Sequence, residues 1–150
     1  MQYHRRWHLA VRRVVIDTSV LIAGLRSRRG ASNRILQLIG SGRFEIALSV
    51  AVILEYEEAA KRHSQELVYS DDELERILGY LCEVAEPTPI HFLWRGYGSD
   101  PADAMIPELA VAAGCDTIVT FNRRHFTHAR EFGLAVLTPR ESLEEVGELP

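Results

Sequence analysis

Short apolar, β-branched runs alternate with longer segments of helical period along this chain, and that alternation restricts the fold more than any other feature. Val14-Val15-Ile16, Phe44 to Leu48, Ile90 to Leu93, Thr117 to Thr120 and Leu134 to Leu137 read as five strands. Between them the apolar residues recur every three or four positions. Ile35, Leu36, Leu38 and Ile39 mark one helix that Gly40 and Gly42 stop, and Ser49 caps another running to about His63. Ser70 with Glu73, and Thr138 with Pro139 and Glu141, have the spacing of capping boxes. Strands separated by helices demand crossover connections, which are right-handed and put helices on both faces of a parallel sheet. The expected fold is therefore α/β, a three-layer α/β/α sandwich around a central parallel sheet of about five strands.

At 150 residues the chain suits one domain with a full core. Residues 1–11, basic and aromatic, read as an N-terminal extension, and residues 12–150 as the domain. No apolar run approaches the ~20 residues of a membrane span, and the N-terminus lacks the apolar core of a secretory signal. A cytoplasmic protein with no membrane partner is expected. Cys82 and Cys115 sit singly in apolar patterns and read as packed, reduced thiols.

The formal net charge is −4, yet its distribution is uneven. Arginines cluster at 5–6, 12–13, 26–29 and 123–124, and Lys61 is the only lysine. Arginine grips phosphate oxygens bidentately where lysine offers a point charge, although arginine-favouring codon usage accounts for the bias equally well.

Four oxygen-bearing side chains recur at one kind of place. Asp17, Glu55, Asp103 and Asn122 each stand just past a strand or early in the helix that follows one. An open parallel sheet gathers ligands outside the carboxyl ends of its strands, so these residues are expected to converge. Converging carboxylates repel one another unless cations neutralise them, which points to a divalent-metal site. Each residue also has a plainer reading. Asp17 is placed to cap a helix, Glu55 has neighbours in Glu57 and Glu58 on what is usually a solvated face, and Asp100 and Asp103 flank Pro101 as a cap would. Thr18, Ser19 and Thr120 are placed to hydrogen-bond carboxylates or simply to cap. Trp94 and Tyr97 stand in the loop before Asp100 as candidate base-stacking or core-closing aromatics, and His125 is expected near the site mouth. Pro107 predicts a kink in the helix that starts at Pro101.

The ordered set Ile16-Asp17-Thr18-Ser19-Val20-Leu21, Leu54-Glu55-Tyr56, Asp100-Pro101-Ala102-Asp103 and Ile118-Val119-Thr120-Phe121-Asn122 with His125-Phe126 resembles a PIN-domain nuclease. It most resembles the VapC-like branch, toxin components of toxin–antitoxin systems. The resemblance implies a ribonuclease acting on single strands with Mg²⁺ or Mn²⁺. Asp17, Glu55, Asp103 and Asn122 would be its catalytic residues, the first three its metal ligands. Thr18, Ser19, Asp100 and Thr120 would support them, while Arg26, Arg28, Arg29, Arg123 and Arg124 would bind RNA. It also implies a homodimer and a small antitoxin protein as partner. The alternative is a catalytically weak PIN-like module that binds RNA or protein. Asn122 stands where many PIN domains carry aspartate. Neither G-x-G-x-x-G nor a P-loop occurs, which argues against a nucleotide-binding α/β domain.

Overall fold

The computed structural model describes residues 11–89 and 101–148, with the backbone alone at 86 and 101–103. β1 (Arg12–Ile16), α1 (Thr18–Arg26), α2 (Ala31–Leu38), β2 (Phe44–Leu48), α3 (Val50–Arg62) and α4 (Asp71–Val84) come first. They are followed by β3 (Glu86–Pro87), α5 (Pro101–Ala112), β4 (Thr117–Val119), a 3₁₀ segment (Arg123–Phe132), β5 (Ala135–Leu137) and α6 (Pro139–Glu145). Sheet order is β3-β2-β1-β4-β5, and every pairing is parallel.

Four strands make the body of the sheet, and β3 adds a two-residue pairing at its edge. The strand expected at Ile90 to Leu93 lies outside the described residues. Among the described residues, pairing on that edge is made by Glu86–Pro87. An edge strand tolerates proline because no inner neighbour needs its missing N–H. Thr88 then donates to the Leu48 carbonyl at 2.9 Å and extends the pairing by one residue.

Successive strand residues point to opposite faces, yet Val14, Val15 and Ile16 in β1 and Thr117, Ile118 and Val119 in β4 are all buried. Both faces of the sheet are therefore covered, as parallel sheets require. α5 lies against β1, β2 and β4, while α1 packs on α2 and α3. α5 stays helical on both sides of a fully buried Pro107. Both capping boxes form reciprocally, Ser70 with Glu73 and Thr138 with Glu141. Gly133, at φ 79°, ends the 3₁₀ segment in the left-handed conformation and turns the chain into β5. The two cysteines differ from expectation in one respect. Cys115 is partly buried, whereas Cys82 on α4 is exposed. No helix among the described residues is long and apolar enough to cross a membrane.

Candidate active site

The parallel ladder delivers Asp17 to the carboxyl edge. Its backbone N–H donates to Val119 at 2.9 Å, continuing the β1–β4 pairing one residue past the strand. Asp17 then occupies the N-cap position of α1, but its side chain caps nothing. Its Oδ2 instead accepts two hydroxyls, from Ser19 Oγ at 2.7 Å and from Thr120 Oγ1 at 2.7 Å. A cap would spend the carboxylate on backbone N–H groups of its own helix. Here two side chains fix its orientation, and neither occupies Oδ1.

Both hydroxyls have a second bond. Thr120 Oγ1 accepts from the Asn122 N–H at 2.9 Å, and Ser19 Oγ accepts from the Phe121 N–H at 3.4 Å. A hydroxyl donates once and accepts elsewhere, so each is used both ways. Asn122 itself is exposed and makes no side-chain cap to the 3₁₀ segment that follows.

α3 contributes Glu55. Ser49 Oγ starts the helix by accepting from the Val52 N–H at 3.2 Å, which sets the register of the turn that follows. The three glutamates separate cleanly. Glu57 and Glu58 are exposed and pair along the helix with Lys61 and Arg62, whereas Glu55 is half-buried and lines a cleft with Asp17. Tyr56, beside it, appears in the sequence only as part of the Leu54-Glu55-Tyr56 motif, with no role of its own. It is buried, and its phenol donates to the Ile16 carbonyl. That bond ties the helix bearing Glu55 to the strand end bearing Asp17. Burial first, and then the Asp17 carboxylate, push the phenol's pKa well above its ordinary value, so it stays a donor.

The cleft has a volume of about 490 Å³, and Asp17, Thr18, Ser19, Glu55 and Asn122 all line it. Met105 and Ile106 bring the N-terminal half of α5 to its border. Asp103 stands in the first turn of that helix; its side chain, like all of Asp100, Trp94 and Tyr97, lies outside the described residues. Arg26, Arg62, His63, His125 and Phe121 line it too, beside the apolar Ile22, Ala23, Ala59 and Phe126, and of the first five only Arg26 and His125 were expected there.

The remaining arginines named from the sequence do not line the cleft. Arg28 donates to the Val68 carbonyl at 3.1 Å and lies over the Tyr69 ring, and Arg123 pairs with Glu141. Arg29 and Arg124 are exposed. On the cleft wall Arg26 pairs with Glu66 at 3.2 Å, His63 Nδ1 lies 2.8 Å from the same carboxylate, and Arg62 pairs with Glu58 at 2.9 Å. The hydrogen bond with His63, with help from Arg26, holds the Glu66 carboxyl below its usual range. Exposed pairs of this kind contribute little to stability, so the cations are easily exchanged onto a phosphate.

Among the described residues no group of three His, Cys, Asp or Glu side chains is poised for a metal. The oriented Asp17 carboxylate, the Glu55 carboxylate and the Asn122 amide line the cleft, all hard oxygen donors that suit Mg²⁺ or Mn²⁺ retaining several waters. The donor chemistry fits such an ion, with Asp103 as the third carboxylate in sequence.

A family model described as PIN domain matches residues 13–124. The crystal structure of PAE2754 from Pyrobaculum aerophilum is similar, with a TM-score of 0.62 and 18% identity over 93% of this chain and 92% of that one. That likeness extends to the fold alone. No curated protein matches the sequence.

Proposed function

Because the chain belongs to the PIN domain family, whose members are generally nucleases, we propose that it is a metal-dependent endoribonuclease hydrolysing RNA phosphodiester bonds. We further propose that it is the cytoplasmic toxin of a toxin–antitoxin pair. The observation that carries the chemical reading is the Asp17 carboxylate, held by Ser19 and Thr120 at the edge of a cleft that Glu55 and Asn122 share.

Asp17, Glu55 and Asp103 would hold the divalent ion, with Asn122 offering a neutral amide oxygen. A bound Mg²⁺ or Mn²⁺ would lower the pKa of a coordinated water and offset charge on the attacked phosphodiester. Ser19 and Thr120 keep the Asp17 carboxylate from rotating, and Tyr56 keeps the Glu55 helix in register with it. Arg26 and Arg62 face the same cleft and supply the positive charge that draws in an RNA backbone past the acidic floor.

Two surface features support the proposed partners. Val50 and Leu54, one turn apart on α3, are 75% and 56% exposed, an apolar stripe suited to a homodimer. A second groove has Ile53, Leu74 and Leu78 on its floor and Glu57, Asp71 and Glu75 at its rim. Its chemistry suits a basic, amphipathic segment of a small antitoxin.

The test is cleavage of single-stranded RNA by the purified chain with Mn²⁺, with Mg²⁺ and with chelator. Cutting in chelator overturns the metal requirement, and intact RNA under every condition overturns the ribonuclease. Growth arrest on expressing the wild type but not Asp17→Asn supports the toxin role, and equal growth contradicts it.

A further inference from the structure

We propose that Phe121 is a stacking platform for the nucleobase next to the cut phosphodiester, giving the cleft a preference for an unpaired purine there. The inference rests on the ribonuclease reading and adds a specificity element to it.

Phe121 follows Thr120, which is fully buried, yet is itself 51% exposed. Seven large apolar side chains are exposed among the described residues, and of these Phe121 alone lines the acidic cleft. Its backbone is pinned on each side. Thr120 donates to the Leu137 carbonyl at 2.8 Å, Phe121 to Ser19 Oγ at 3.4 Å, and Asn122 to Thr120 Oγ1 at 2.9 Å. The hydroxyls that position Phe121 are the two that orient Asp17. The platform and the carboxylate are therefore fixed relative to each other, which is what a stacking contact adjacent to the reacting bond needs.

An acidic floor repels a phosphate backbone, so affinity must come from the walls. There Arg26 and Arg62 offer charge for phosphates, and Phe121 offers the one exposed large apolar ring among the described cleft residues, beside the smaller imidazole of His125. A base stacked inside a duplex is covered on both sides and cannot reach it, whereas an unpaired base can. Purines present the larger ring system and so gain the more from the contact.

The test uses single-stranded oligoribonucleotides carrying one 2-aminopurine in a uridine run, with chelator present so that nothing is cut. The wild type and Phe121→Trp should quench the fluorophore, while Phe121→Ala should lose the quench and bind about 5-fold or more weakly. With Mn²⁺ and mixed-sequence RNA, the wild type should cut beside purines and Phe121→Ala should lose that bias. Cutting by the wild type, with Phe121→Ala unchanged in quench and cut sites, overturns the platform and leaves the ribonuclease standing. A wild type that neither binds nor cuts RNA overturns both.

Discussion

Thr120 Oγ1 donates a 2.7 Å hydrogen bond to Asp17 Oδ2 across 103 positions of sequence. The parallel register explains the meeting. Ile16 pairs with Val119, so the residues that follow each strand emerge side by side at the carboxyl edge. One residue carries the charge and the other the hydroxyl that aims it.

Thr120→Val keeps the shape and removes the hydroxyl. Asp17 then loses one of two donors, and the Asn122 N–H loses its acceptor in a partly buried place. Stability should fall by about 1–3 kcal/mol, read from urea melts. Mn²⁺-dependent RNA cleavage should fall about 10- to 100-fold, as for other groups that orient metal ligands. Thr120→Ser should retain most of both. Equal activity in the Val and Ser variants would show that the hydroxyl does not aim the carboxylate.

Tyr56→Phe removes the phenol bond to the Ile16 carbonyl and should cost about 1 kcal/mol at neutral pH. Its pH dependence has a definite sign. The native phenol's pKa is raised above 10.0, so the unfolded state releases its proton first as pH rises. The stability Tyr56 contributes is complete below pH 10 and shrinks above it. Cys115 behaves alike, its thiol pushed by burial from 9.0 to about 12, with loss beginning near pH 9. Melts between pH 7 and 11 should show the wild type approaching Tyr56→Phe at the alkaline end and Cys115→Ala declining less steeply. Parallel curves for all three would contradict the burial argument.

Asn122→Asp adds a carboxylate to the cleft. Without metal the new anion faces Asp17 and Glu55, so the melting temperature should stay level or fall. Saturating Mn²⁺ should raise it by more than it raises the wild type, because ligand binding stabilises the native state in proportion to affinity. An identical metal-induced shift in both proteins would remove position 122 from the coordination sphere.

The sequence carried most of the scaffold because local chemistry set it. Ser70 with Glu73 and Thr138 with Glu141 are capping boxes on the page and in the fold alike. Asp17 was legible as a strand-end carboxylate, but whether it capped α1 depended on Thr120, far away in sequence. Local chemistry did not separate Glu55 from Glu57 and Glu58; the family resemblance picked it out, and the helix's buried face gives the physical reason. Arg62 and His63 had no local signal, and Tyr56 and Phe121 entered only as parts of the family motif, with no role of their own. A core aromatic and a functional one share the same spacing, and only the packed cleft tells them apart. Pro107 predicts a kink, and α5 carries that proline inside the helix.

The most direct test is Mn²⁺-dependent cleavage of single-stranded RNA by the wild type and by Asp17→Asn at matched concentration. The amide is isosteric, and its oxygen still accepts from Ser19 and Thr120, so the variant should fold and melt as the wild type does. It lacks the negative charge that an ion requires. The account predicts cleavage by the wild type and none by Asp17→Asn. Equal cleavage by a folded Asp17→Asn would contradict it.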